Sequence, residues 1–214
     1  MNQFARSVFI NCPFDDGYLS LLRPLVFSIL YLDFQPRLAL ERADSEETRI
    51  RKIVELIQAS KFGIHDLSRC RSTKKGEFFR LNMPLELGID IGCKLFRGTK
   101  WKNKRILILE AERFRYQAAI SDLAGSDIWA HHNEPEALIV GVRDWMVQEA
   151  GACPVPANRI YSSFLDFMAY NYARLEQEGW KPEHIRALRI SELQGLMQKW
   201  LNKHRRLPSK SRIA

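Results

Sequence analysis

The chain has 214 residues, of which 46% are hydrophobic and 27% are charged, and its formal net charge is +8. This composition is typical of one globular domain, or of one domain with a helical addition, and excludes a low-complexity or fibrous chain. No apolar run approaches the roughly 18 residues that cross a membrane, and the first residues lack a secretion signal, so we expect a cytoplasmic protein without a membrane partner.

Cysteine and histidine spacing gives no indication of a disulfide or a metal site. The cysteines are scattered, without a C-x-x-C pair, at Cys12, Cys70, Cys93 and Cys153. We expect free thiols, as in a reducing compartment. His131 and His132 are adjacent rather than one helical turn apart, which does not suit a metal. Glycine-rich dinucleotide and phosphate-binding motifs are also missing, so we expect neither a metal nor a resident cofactor.

Positive charge is concentrated near the end of the sequence. Residues 151–214 carry a net charge of +6, and residues 199–214 contain six basic side chains and no acidic one. A basic tail of this kind is compatible with binding to nucleic acid. A solvated chain end explains the same composition. The basic side chains proposed for nucleic-acid contact are Lys203, Arg205, Arg206, Lys210 and Arg212.

Apolar periodicity predicts alternating strands and helices through the first 150 residues. In chain order, we expect a strand at 7–12, a helix through 21–29, a strand at 37–41, a helix at 46–59, a strand at 61–66, a basic surface loop at 69–80, a helix at 83–96, a strand at 105–109, a helical piece at 113–123, a strand at 127–130 and a helix at 134–149. After a proline-containing linker, two further helices are expected at 157–177 and 182–204.

This alternation predicts an α/β fold, because strands that alternate with helices form a parallel sheet. We expect a flavodoxin-like sheet of five strands in the order 2-1-3-4-5, with helices on both faces. Residues 1–150 would form this domain, and residues 157–214 a C-terminal helical pair with the basic tail.

Polar residues follow the predicted strands, at the sheet edge where α/β proteins bind ligands. The candidate substrate-binding residues there are Asn11, Pro13, Phe14, Asp15, Asp16, Glu41, Ser68 and Asn82. Asp66 ends the third strand, and Glu86 lies near the start of the next helix. We expect the carboxyl groups of Asp15, Glu41, Asp66 and Glu86 to converge on one cleft.

Glu86 is the main catalytic candidate, because it lies in an otherwise apolar helix and burial of a lone carboxylate is unfavourable. Two structural interpretations compete with a catalytic role. An acid in the first helical turn stabilises the helix dipole, and Glu86, Asp90 and Lys94 at i, i+4 spacing would also suit a solvated stripe. Gly88 and Gly92, on the opposite side of the helix, are expected to permit close packing against another backbone.

Two segments resemble nucleoside deoxyribosyltransferases and their relatives among TIR-type NAD-cleaving domains. The first is Val8-Phe9-Ile10-Asn11-Cys12-Pro13-Phe14-Asp15. The second contains Ile64-His65-Asp66-Leu67-Ser68 and then Asn82-Met83-Pro84-Leu85-Glu86-Leu87-Gly88, with Gly92 after it. Residues 7–149 as a whole look like a bacterial TIR-like family. Asn82-Met83-Pro84 stands where the transferases often have Gly-Thr, which leaves hydrolysis and non-catalytic nucleotide binding open.

The resemblance implies that Glu86 attacks or stabilises the anomeric carbon of an N-glycosidic bond. The implied function is an N-glycosidase that acts on NAD or a related nucleotide as substrate, as in antiviral defence effectors of bacteria, with the C-terminal helices controlling assembly of a homo-oligomer. Cationic nicotinamide leaves without protonation, whereas a neutral base would require an acid such as Asp66 or Asp15. Two alternatives stay open, namely a nucleotide-sensing or scaffold module and a nucleic-acid-associated protein.

Overall fold

A computed structural model describes residues 3–41, 44, 46–69, 81–113, 115, 120–123 and 125–205 of the chain. The strands are β1 (Ser7–Asn11), β2 (Gln35–Arg37), β3 (Phe62–Asp66), β4 (Arg105–Glu110) and β5 (Ile128–Ala130). The helices are α1 (Gln3–Arg6), α2 (Leu19–Tyr31), α3 (Arg49–Gln58), α4 (Asn82–Phe96), α5 (Pro135–Ala150), α6 (Ala157–Gln177), α7 (Pro182–Arg186) and α8 (Ile190–His204). Among the described residues, no helix has the length and apolar character needed to cross a membrane.

The five strands form one parallel sheet in the order β2-β1-β3-β4-β5, which confirms the predicted flavodoxin-like topology. Alternate side chains of β1 enter two different cores, because successive strand residues point to opposite faces. Val8 and Ile10 join the cluster formed with α2 and α5. Phe9 packs instead with Ile53 and Ile57 of α3. The helices therefore cover both faces, as expected.

The C-terminal helices extend the hydrophobic core on the α2 and α5 side. The Phe27 ring of α2 lies 5.5 Å from the Phe164 ring and 5.8 Å from the Phe167 ring of α6, measured between centroids. The Trp200 ring of α8 lies 6.2 Å from the same phenylalanine. The predicted C-terminal extension is thus a further helical layer whose apolar residues are continuous with those of the α/β core.

The second predicted C-terminal helix, at 182–204, is divided into α7 and α8. The guanidinium of Arg23 donates a hydrogen bond of 2.6 Å to the carbonyl oxygen of Arg186. An uninterrupted helix would use that oxygen to accept from the N–H of Ile190. Arg189, the residue before α8, is extended, with φ −61° and ψ 142°. The Arg23 side chain of α2 therefore binds at the break between α7 and α8, which local periodicity did not reveal.

The predicted second strand, at 37–41, was misplaced. The strand occupies Gln35–Arg37, and Ala39–Glu41 forms a 3-10 turn. The Glu41 carboxylate accepts hydrogen bonds from the Leu38 N–H at 2.6 Å and from the Arg37 side chain at 3.0 Å. A side chain that accepts a hydrogen bond from a nearby backbone N–H in this way ends the strand and begins a turn.

Parts of three other predictions lie outside the described residues. They are most of the surface loop at 69–80 with Cys70, residues 114 and 116–119 of the helical piece at 113–123, and the tail residues Arg206, Lys210 and Arg212. Within the described part of 113–123, Ser121–Leu123 is a short 3-10 turn.

The close packing predicted at Gly88 and Gly92 is wrong. A Cβ atom on Gly88 would meet no described atom within 4 Å, and one on Gly92 would only reach the Phe96 ring at 4.0 Å. The glycine that permits close approach of α4 to the sheet is Gly63 in β3, where a Cβ atom would overlap the Asp90 carboxylate. The sheet-facing side of α4 is therefore the side that carries the acids Glu86 and Asp90, together with Met83, Leu87 and Cys93, and it is opposite to the side expected.

Candidate functional site

A cavity of about 540 Å³ lies at the carboxyl edge of the sheet, between the loop after β1 and the first turns of α3 and α4. Its described lining residues are Cys12, Pro13, Phe14, Asp15, Arg49, Leu81, Asn82 and Met83. Four of the predicted substrate-binding residues are therefore brought together in one wall. The position agrees with the general location of ligands in parallel α/β sheets.

Glu86 lies directly behind this cavity, in the second turn of α4. Only 4% of the residue is exposed. Its Oε1 lies 3.9 Å from the Nη2 of Arg49, whose side chain is 54% exposed and lines the cavity. Glu86 itself is not among the described lining residues, whereas its ion-pair partner Arg49 is.

The electrostatics of Glu86 differ from those of a helix-dipole partner. Burial raises the pKa of Glu86 from 4.5 to about 7, and the charge of Arg49 opposes this shift. A carboxylate stabilised mainly by the helix dipole would have a lowered pKa. The solvated-stripe interpretation is wrong, because Asp90 is fully buried one turn later.

Three of the four carboxyl groups expected at the cleft surround the thiol of Cys12. Burial raises the pKa of this thiol well above its ordinary value, and the nearby charges of Asp66, Glu86 and Asp15 raise it further. Glu41 is held elsewhere by the turn described above, with its carboxylate on Arg37. The expected convergence therefore extends to Asp15, Asp66 and Glu86, but no described contact brings Glu41 into it.

Asp66 is fully buried and accepts hydrogen bonds from three sides. The donors are the Tyr18 hydroxyl, the Ser68 backbone N–H at 2.8 Å and the Nε2 of His131 at 3.0 Å. The proton of His131 lies on Nε2, because its Nδ1 accepts from the N–H of Asn133. Burial alone would raise the pKa of Asp66, but these hydrogen bonds hold it below the ordinary value. Its catalytic role stays a prediction, and the geometry favours a role in positioning the surrounding loops.

A second chain of buried polar groups crosses the sheet and ends at the start of α4. Asn11 donates to Met83 O at 2.9 Å and lies 3.0 Å from Nδ1 of His65. Nε2 of His65 lies 3.1 Å from Asp90, whose other oxygen is 3.0 Å from the buried ammonium of Lys104. Since Met83 is three residues before Glu86, this chain fixes the helix turn that carries the candidate carboxylate. The amide nitrogen of Asn11 is occupied structurally.

The remaining predicted residues lie around the cleft rather than in its wall. Asp16 is exposed and begins a 3-10 turn. Ser68 is buried, its N–H bonds to Asp66, and its carbonyl oxygen accepts from Arg115. His65 is fully buried in the sheet, between Asn11 and Asp90.

Sequence reasoning missed Arg49, Tyr18 and His131. Arg49 pairs with Glu86 and lines the cavity, although nothing in its position near the start of a predicted helix indicated either. His131 follows β5 directly, so the criterion of polar residues after strands could have identified it. Tyr18 gave no comparable signal, because an aromatic residue before a helix is compatible with ordinary core packing.

No group of three or more His, Cys, Asp or Glu side chains in the described part of the chain is arranged to hold a metal ion. Comparison of the chain with models of protein families, with curated proteins and with solved structures finds no match. A functional assignment therefore depends on the cleft itself and on the residues that form it.

Proposed function

We propose that this chain is an N-glycosidase that cleaves the ribosyl N-glycosidic bond of NAD or a related nucleotide. The observation that carries the proposal is the buried carboxylate of Glu86, with a pKa of about 7, directly behind a cavity at the carboxyl edge of the sheet. Acids with strongly shifted pKa values next to clefts are concentrated at catalytic sites, because catalysis requires pKa values matched to the reaction even where they reduce folding stability.

The reaction explains why a carboxylate is required. The bond between the anomeric carbon and the nitrogen of the base breaks, and its electron pair stays with the nitrogen. The sugar then has oxocarbenium character, which a fixed negative charge stabilises. Water adds its oxygen to the anomeric carbon and releases a proton to solvent. Glu86 in its ionised form supplies the charge, and nicotinamide leaves as a neutral base without prior protonation.

Two lining residues have the properties that this substrate requires. Phe14 is half-buried in the wall and offers an aromatic face, over which the guanidinium of Arg49 lies at 6.0 Å from the ring centroid. An aromatic face can stack on the leaving base. If the leaving base is neutral, Asp15 is the better-placed acid, since it lines the cavity whereas Asp66 is fully buried.

The proposal also holds that the protein is a cytoplasmic defence effector that works as a homo-oligomer. Support for assembly comes from the outer face of α4 and the residue before it, where four large apolar side chains are exposed: Leu81 at 69%, Leu85 at 56%, Leu95 at 59% and Phe96 at 85%. Gly88 and Gly92 lie on the same side of the helix with open space around them. Exposed apolar surface of this kind is typical of an interaction face.

The direct test is release of free nicotinamide from NAD by the purified protein, followed by chromatography. Glu86→Gln should retain the fold and nucleotide affinity but lose on the order of 100-fold or more in rate. Glu55→Gln is the matched control, because Glu55 is a partly exposed acid of α3 paired with Arg51, and its rate should equal that of the unmodified protein. Nucleotide binding without nicotinamide release would instead support the sensing or scaffold alternative.

A groove between α6 and α8 favours nucleic-acid binding as a second candidate function. Its lining combines four basic side chains with three large aromatic rings: Arg174, Lys199, Lys203, His204, Phe167, Tyr170 and Trp200. Arg205 is not a free tail residue, since it donates to the carbonyl oxygens of Leu30 and Tyr31. Binding through this groove should weaken steeply with salt as phosphate contacts release counterions. Absence of binding to single-stranded or duplex DNA and RNA at low salt would exclude this function.

A further inference from the structure

A second cavity, of about 490 Å³, lies beside the first and is formed jointly by the α/β domain and the C-terminal helices. Its described lining residues are Ala39, Leu40, Glu47, Arg49, Lys52, Arg189, Ile190 and Ser191. Arg49 is the one described residue that lines both cavities. The two spaces are therefore adjacent, with Arg49 at the boundary and Glu86 behind it.

The second cavity is positively charged. Arg49, Lys52 and Arg189 contribute three cations, against the single carboxylate of Glu47. Lys52 is 8% exposed, and its ammonium lies 3.9 Å from the Glu47 carboxylate. With the Glu86 carboxylate that pairs with Arg49 also counted, the cavity has three cations against two carboxylates and keeps an excess of one positive charge. Such an excess around a concave space favours an anionic ligand.

Two helices begin at this cavity, which adds to its positive potential. α3 starts at Arg49 and α8 starts at Ile190, and both residues are in the lining. The N–H groups of a first helical turn lack partners within the helix, and the helix dipole places partial positive charge there. The three cationic side chains carry the argument, and the helix ends act in the same direction.

We propose that the second cavity binds the phosphate groups of a nucleotide whose glycosidic bond lies at Glu86. Arg49 at the boundary and Arg189 of the C-terminal part would both contact the phosphates, so α8 completes the binding site. The identity of the ligand as a nucleotide rests on the proposed function, whereas the preference for an anion rests on the cavity. The site consequently selects phosphorylated nucleotides over free nucleosides.

Calorimetric titration with ADP, adenosine and inorganic pyrophosphate tests this site without any turnover. The unmodified protein should bind ADP at least about tenfold more tightly than adenosine. Arg189→Gln should weaken ADP and pyrophosphate binding about tenfold, the scale of one charge-assisted hydrogen bond, and leave adenosine binding unchanged. Arg189→Lys should recover most of the affinity. Arg186→Gln is the matched control, because Arg186 is an exposed arginine near Arg189 that does not line the cavity.

Several outcomes would overturn the proposal. Equal affinities for ADP and adenosine, no pyrophosphate binding, or equal effects of Arg189→Gln and Arg186→Gln would each do so, provided that both variants melt at the temperature of the unmodified protein. Charge-dependent ADP binding without nicotinamide release would refute the glycosidase and leave the anion site standing. Nicotinamide release with a KM for NAD that Arg189→Gln does not raise would refute the anion site and leave the glycosidase standing.

Discussion

Replacement of Glu86 by glutamine tests the electrostatic reasoning through protein stability, independently of any substrate. The carboxyl group has a pKa of about 7 in the folded protein and 4.5 as its ordinary value, because burial disfavours the charged form. Between these two values the unfolded chain has released the proton while the folded chain retains it. The contribution of Glu86 to stability is therefore fully present below about pH 4.5 and is lost as the pH rises through about 7.

The magnitude follows from the size of the pKa shift. One pKa unit corresponds to about 1.4 kcal/mol, so the rise in pKa from 4.5 to about 7 makes the ionised carboxylate destabilising by about 3 kcal/mol at alkaline pH. Glutamine has nearly the same size and cannot ionise. The free energy of unfolding of Glu86→Gln, relative to the unmodified protein, should therefore rise by about 2 to 3 kcal/mol between pH 5 and pH 8.

Urea unfolding at a series of pH values measures this difference directly. Glu55→Gln serves as the control, because its carboxylate is partly exposed and its difference from the unmodified protein should vary little with pH. A Glu86→Gln difference that is constant with pH, or that changes in the opposite direction, would refute the reasoning. Glu86 would then be an acid stabilised by Arg49 or by the helix dipole, and the main support for catalysis would be lost.

Four further substitutions have defined outcomes. Arg49→Gln should move the rise of nicotinamide release with pH toward higher pH, because Arg49 lowers the pKa of Glu86; an unshifted pH–rate profile would contradict the pairing. Lys104→Met should lower the urea-derived stability by about 3 kcal/mol, since it breaks a buried ion pair; a neutral effect would contradict it. Gly63→Ala should destabilise the protein by about 1 to 3 kcal/mol, because the new Cβ atom would overlap the Asp90 carboxylate. Gly88→Ala should stabilise it by up to about 1 kcal/mol, since open space surrounds that position. Equal effects of the two substitutions in thermal melts would contradict the assigned faces of α4.

Sequence periodicity was sufficient to predict the sheet. The strand runs are short and apolar, and each alternates with a helical pattern, which permits few parallel topologies. The order β2-β1-β3-β4-β5 was therefore accessible without coordinates. The misplacement of β2 had a local cause, because the Glu41 carboxylate that caps the Leu38 N–H competes with strand formation in a way that apolar spacing does not show.

The sequence also identified which residues belong near the cleft, but tertiary structure decided what each one does there. The position of Asp15, Asp66 and Glu86 after strands or near a helix start follows from chain order. Two of the three hydrogen bonds that Asp66 accepts come from Tyr18 and His131, which are far from it in the chain. Their effect on its charge depends on burial and on exact geometry, which no spacing rule contains.

The amino-acid sequence by itself determined the parallel α/β architecture, the presence of a C-terminal helical extension and the choice of Glu86 as the residue of interest. Only the tertiary structure decided that the side of α4 that carries Glu86 and Asp90 faces the sheet, that Arg49 pairs with Glu86, and that α8 forms a charged cavity with α3. The physical reason is that periodicity defines the faces of an element, whereas desolvation and ion pairing depend on which distant elements cover those faces.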